Sequence, residues 1–157
     1  MGAPSQWDKA QTGLTYALYH PKAKLGLKLN KLKLLSCGKG HDEWVAATYG
    51  TYHGILGKGH GFSLYEGNPI CSDPAFSTKV GTTTILGVSA NIGVYCDPRK
   101  TCTKAQGVKH GFTIQWRAAK SRAFKGKRTQ MQLDSHGLKL SQLLKVAHHL
   151  QPVLSAS

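Results

Sequence analysis

TKVGTTTILGVSANIGVY, residues Thr78 to Tyr95, is the stretch that decides the fold. Val80, Thr82, Thr84, Ile85, Val88, Ile92, Val94 and Tyr95 supply the branched and aromatic side chains that suit a pleated, half-buried surface. Gly81, Gly87 and Gly93 oppose a helix through the same residues. The stretch predicts two strands, with the turn between them near Ser89 to Asn91. Asp97-Pro98 ends the second strand, Cys96 to Gln106 forms a basic loop, and Phe112 to Trp116 alternates as a further strand.

Toward the N-terminus, glycines at 50, 54, 57, 59 and 61 predict tight turns flanking strands Tyr52 to Leu56 and Gly61 to Tyr65, paired as a hairpin. Glu66 to Pro74 is loop chemistry, with Asn68-Pro69 and Asp73-Pro74 as turn initiators. Asp42 to Tyr49 fits equally a two-turn helix with an acidic first turn and a strand. Lys22 to Leu35, KAKLGLKLNKLKLL, alternates as a strand with Leu25, Leu27 and Leu29 on one face. Leu32 and Leu34 have the opposite parity, which requires a bulge near Asn30. A helix through Leu25, Leu29 and Leu32 is the rival, opposed by Gly26. Residues 1–21, with Trp7, Tyr16 and Tyr19 among polar neighbours, read as an N-terminal arm containing a short strand at Thr15 to Tyr19.

C-terminal to Trp116 the alanines at 118, 119 and 123 predict a short basic helix stopped by Gly126. Asp134 or Ser135 then caps a helix whose positions Leu140, Leu143, Leu144, Ala147 and Leu150 follow the helical period, with Pro152 past its end. The fold class is α+β: a mainly antiparallel β-sheet with glycine-rich turns and a C-terminal amphipathic helix packed on it. Residues 22–157 form a single basic domain, as a length of 157 residues allows.

Charge is the strongest global signal. With 21 Lys and Arg against 7 Asp and Glu, the formal net charge is +14. Such an excess attracts polyanions in a salt-dependent way, and nucleic acid is the commonest such partner. No acidic residue lies between Asp97 and Asp134. Lys109, Arg117, Lys120, Arg122, Lys125, Lys127 and Arg128 fall in that interval as candidate phosphate contacts, and Trp116 among them is a candidate stacking platform for bases. Lys22 to Leu35 presents leucine on one face and lysine on the other, the pattern of a membrane-surface segment or of an edge strand guarded by lysines.

One word is repeated: His60-Gly61-Phe62-Ser63-Leu64 and His110-Gly111-Phe112-Thr113-Ile114. As strands the two copies would place histidine, phenylalanine and the aliphatic residue on one face. Converging histidines at 60 and 110 would be the general base and acid of a metal-independent ribonuclease. Gly-Lys-Gly-His occurs at 38–41 and 57–60 as a glycine turn able to cradle an anion, and no P-loop is present. Cys37, His41, Cys96 and Cys102 offer a zinc donor set, although their spacing is looser than that of structural zinc sites. The absence of a long apolar run argues for reduced cysteines and a cytoplasmic or virion location. Were the protein exported, Cys96 with Cys102 would close a short loop, and the pairing of all four would remain open.

Together these features predict a small RNA-binding protein, such as a viral capsid or accessory protein or a ribonucleoprotein component, without a cofactor. The alternatives are a ribonuclease or toxin using His60 and His110, and a membrane-active basic protein built on Lys22 to Leu35.

Overall fold

Alternating strands of the chain turn one side chain in two toward a shared apolar core and the next toward solvent. The computed structural model describes residues 5–52, 59–72, 76–125 and 127–153. Its elements, in chain order, are α1 (Gln6–Gln11), β1 (Tyr19–Pro21), β2 (Leu29–Leu35), β3 (Trp44–Gly50), β4 (Gly61–Gly67), β5 (Ser77–Ile85), β6 (Val88–Tyr95), a 3-10 turn (Lys104–Gln106), α2 (Gly107–His110), β7 (Phe112–Arg117), β8 (Gln130–His136), α3 (Leu140–His148) and β9 (Leu150–Pro152). Seven strands pair in the order β2-β3-β4-β8-β7-β6-β5, and β1 pairs with β9 separately. Every neighbouring pair is antiparallel. The protein is thus mostly antiparallel sheet with a few short helices. No helix of the described residues is long and apolar enough to cross a membrane.

One face of the sheet buries Val45, Ala47, Tyr49, Phe62, Leu64, Ile92, Val94, Phe112, Ile114, Trp116, Met131 and Leu133. These residues form one cluster with Trp7, Ala10, Tyr16 and Leu18 from the N-terminal segment and Leu143, Val146 and Ala147 from α3. The other face carries Thr82, Thr84, Asn91, Gln115, Arg117 and Gln130, all exposed. The same face also buries Ser63, Tyr95, Thr113 and Asp134, so the period-two pattern of the strands separates an apolar face from a polar one.

Several expectations are corrected. The β5–β6 turn lies at Leu86-Gly87, not at Ser89 to Asn91; both residues have positive φ, 47° and 83°, as a two-residue hairpin turn requires. Leucine is an unusual occupant of that conformation, so the turn lacked its usual sequence signature. Trp44 to Gly50 is a strand, and its hairpin partner is β4; the expected strand Tyr52 to Leu56 falls largely outside the described residues, as do Gly126 and the second glycine turn up to Lys58. The N-terminal segment is not a free arm, because Trp7, Tyr16 and Leu18 are buried.

The alanine-rich stretch after Arg117 forms no helix. Ala118 instead extends the β7–β8 ladder, its N–H donating to Thr129 O at 2.8 Å, and its side chain is buried. Asp134 and Ser135 cap nothing: they lie within β8, the central strand. Gly137, at φ 72°, ends that strand, and α3 starts after Lys139, whose N–H donates to the Gln142 carbonyl oxygen Oε1 at 2.9 Å. In β2 the register shifts between Leu29 and Lys31, the bulge at Asn30 that the leucine parity requires.

The cysteines are paired, not reduced: Cys37 with Cys71, and Cys96 with Cys102. The first bond ties the loop after β2 to the loop after β4, and the second closes the loop after β6.

Candidate nucleic-acid interface

The repeated word acquires a structural meaning from the register. Phe62, Ser63 and Leu64 of β4 pair with Ser135, Asp134 and Leu133 of β8, and Thr113 and Ile114 of β7 pair with the same Asp134 and Leu133 from the other side. The two copies are equivalent strands flanking one central strand. Their glycines are required by close approach: a Cβ at Gly61 would lie 2.1 Å from Tyr49 O, and one at Gly111 would lie 2.6 Å from Ser135 O.

His60 directly precedes β4 and His110 ends α2 just before β7, so the strands that follow the two histidines flank β8 on opposite sides. Both histidines are exposed, and His136 of β8 is buried and stacks obliquely on Tyr52, centroids 5.4 Å apart. On the same face Asp134 is enclosed, accepting from Tyr95 Oη at 2.6 Å and from Gln132 Nε2 at 3.1 and 3.2 Å. Burial pushes its carboxyl above the usual range, against the opposing pull of the Tyr95 and Gln132 hydrogen bonds. This network is sealed, with Asp134 only 2% exposed, and joins three strands rather than opening a site.

The cations separate into two groups. Lys109 lies on α2, at the start of β7, whereas Arg117, Lys120, Arg122, Lys125, Lys127 and Arg128 lie at its far end, about 20 Å away along the strand. The loop that carries the second group connects β7 to β8 and is pinned to the N-terminal segment. Lys127 Nζ donates to Thr15 Oγ1 at 2.6 Å, and the Thr129 hydroxyl donates to Ala17 O. The Thr15 hydroxyl and N–H both donate to Asp42, which holds that carboxyl below the ordinary aspartate value, with Lys127 adding to the effect.

Lys120, Arg122, Lys125 and Lys127 are exposed. Arg128 is half-buried; its Nε donates to Ala118 O at 2.8 Å and one Nη to Arg117 O at 3.1 Å. Of the acids, Asp42 lies close enough to Lys127 to feel its charge, through the shared Thr15 hydroxyl. Glu66 and Asp134 are buried, and among the described residues the one ion pair joins Arg99 to Asp97.

Two predicted roles are overturned. Trp116 is 7% exposed and faces the apolar core beside Met131, so its ring offers no platform to a base. The zinc set of Cys37, His41, Cys96 and Cys102 is dissolved by the disulfides, which remove the thiolates that zinc would need, and no cluster of metal-ligating side chains exists among the described residues. Of Lys22 to Leu35 only Leu29–Leu35 enters the sheet, as its edge strand, and residues 22–28 form neither the expected strand nor a helix, with Leu25 and Gly26 in a turn. Leu25, Leu27, Leu29 and Leu32 pack partly buried against the core, and Lys31 and Lys33 are exposed.

Residues not anticipated from sequence complete the cationic end. Asn68, Pro69 and Gln130 line a cleft of about 300 Å³ with Arg117 and Arg128. Gly67 makes it, because a Cβ there would lie 2.4 Å from Pro69 O, and the glycine lets the chain fold back toward β8. The Asn68-Pro69 turn signal was visible in the sequence; its juxtaposition with Arg128 was not.

No protein family, curated protein or solved structure matches the chain.

Proposed function

We propose that the protein binds single-stranded RNA without cleaving it, as a viral capsid or accessory protein or a ribonucleoprotein component would. The observation that carries this reading is the gathering of Arg117, Lys120, Arg122, Lys125, Lys127 and Arg128 at one end of the sheet with no ion-pair partner among the described residues. Cations arranged in this way follow a phosphate backbone with weak sequence selectivity. The adjoining open face adds Gln115, Gln130 and Asn91 as hydrogen-bonding side chains that suit unpaired bases. In this reading α3 backs the sheet and leaves that face clear. The paired cysteines favour an oxidising environment, such as the outside of a cell or particle, over the reducing cytoplasm.

The test is binding of a labelled single-stranded RNA to wild type and to Arg122→Glu, Lys125→Glu, Lys127→Glu and Arg128→Glu combined. Affinity is expected to fall roughly tenfold or more at low salt. Because Arg128 also bonds the backbone of Ala118, the triple variant that keeps Arg128 separates charge from folding. Unchanged affinity in both variants would refute the assignment. The same RNA, incubated in chelator beside a His110→Ala variant, is expected to stay full-length; cleavage that disappears in the variant would establish the ribonuclease reading instead.

A further inference from the structure

The cleft beneath Arg128 differs from the exposed lysines because its donors are already positioned. Arg128 spends two of its N–H groups on the carbonyls of Ala118 and Arg117, which fixes the guanidinium plane and leaves its remaining N–H groups to donate. Gln130 accepts from Ile70 N–H through Oε1 at 3.0 Å, so its Nε2 is the end left to donate. Asn68 Nδ2 donates to Arg128 O at 2.8 Å and locks the turn to the strand that follows. Arg117 pairs with Gln130 across β7 and β8, on the same face.

Among the described residues no carboxylate lines the cleft. Glu66, though next to Gly67, points into the core, where its Oε1 accepts from Tyr19 N–H at 2.6 Å. The far wall is also fastened: Cys37 and Cys71 are bonded to each other, and Sγ of each lies near Pro69 O, at 3.5 and 3.8 Å.

We propose that the cleft formed by Arg117, Arg128, Gln130, Asn68 and Pro69 is a built site for one tetrahedral oxyanion, a phosphate group of the bound strand. Two guanidinium groups and an amide donor, with no acid among the described residues opposing them, match the acceptor-only surface of phosphate. A volume of about 300 Å³ leaves room for the sugar attached to it. The site deepens the RNA-binding reading, on which its choice of phosphate over sulfate rests.

Inorganic phosphate, added at constant ionic strength and followed through the side-chain NMR signals of Arg128 Nε and Gln130 Nε2, is expected to produce saturable shifts. Gln130→Glu keeps an oxygen for Ile70 N–H and places a negative charge in the cleft, so phosphate affinity should fall at least tenfold while the melting transition persists. Arg117→Gln, which removes no backbone contact made by its own side chain, should weaken binding in the same direction. Shifts that stay linear and match those produced by chloride, or saturable shifts unaltered by both variants, would overturn the site. A 5′-phosphorylated trinucleotide and a sulfated disaccharide identify the source. If only the sugar saturates the cleft, the oxyanion site stands and its assignment to RNA fails; if the trinucleotide saturates it, both stand.

Discussion

At the scale of single residues, glycines explain more of the repeated word than histidines do. Gly61 and Gly111 are places where a neighbouring carbonyl approaches too closely for a side chain, and Gly111 also has φ of 99°. Gly61→Ala and Gly111→Ala should each lose about 2–4 kcal/mol in denaturant unfolding, whereas exposed His110→Ala should stay within about 0.5 kcal/mol. Glu66 carries a second residue-level consequence. It is fully buried in the core, and burial raises its pKa well above the ordinary 4.5 despite the hydrogen bond from Tyr19 N–H. The folded protein therefore keeps a proton that the unfolded chain has lost. This contribution to stability is complete below about pH 4.5 and declines as pH rises toward the folded value. Glu66→Gln retains the acceptor for Tyr19, so its unfolding free energy should fall less steeply between pH 5 and 8, roughly, than that of wild type. An equal slope would show that Glu66 is ionised in the fold. Asp134 has the same sign of shift, so the variant flattens the profile without abolishing it.

At the scale of elements, the disulfides act on loops of different length. Cys37–Cys71 spans 34 residues and Cys96–Cys102 spans 6. Closing the longer loop restricts the unfolded chain more, by about 4 kcal/mol against about 2 kcal/mol on chain-entropy grounds. Paired serine substitutions should reproduce that order in unfolding midpoints; the reverse order would mean that native contacts dominate. The elements also show how far local pattern reaches. The Asn30 bulge was legible because a change of leucine parity permits no other way to keep one face inward. The strands β5, β6 and β7 were legible from branched residues and alternation. The Leu86-Gly87 turn was hidden, since leucine is not a residue that signals the positive φ this turn needs. The 117–125 stretch misled because alanine favours helix locally, while β8 offers Ala118 a ladder hydrogen bond and a buried position.

At the scale of the whole molecule, a net charge of +14 governs behaviour beyond any one contact. If about five phosphates are neutralised, the logarithm of RNA affinity should fall with the logarithm of salt at a slope of roughly −3 to −4. Replacing Arg122, Lys125 and Lys127 by Gln should reduce that slope in magnitude by about 2. A slope that is unchanged would place the contacts elsewhere, with Lys109 and the opposite end of the sheet as the next candidates. The cationic character, the antiparallel strands and the sequence interval holding the charge were determined by the sequence itself, because composition and side-chain period are local quantities. The tertiary structure alone decided that Trp116 faces inward, that the cysteines pair with one another instead of holding zinc, and that the strands following His60 and His110 flank β8. It alone brought Asn68 and Gln130 to Arg128. These outcomes depend on strand order and register, which join residues far apart in the chain through backbone hydrogen bonds that any side-chain pattern can accept.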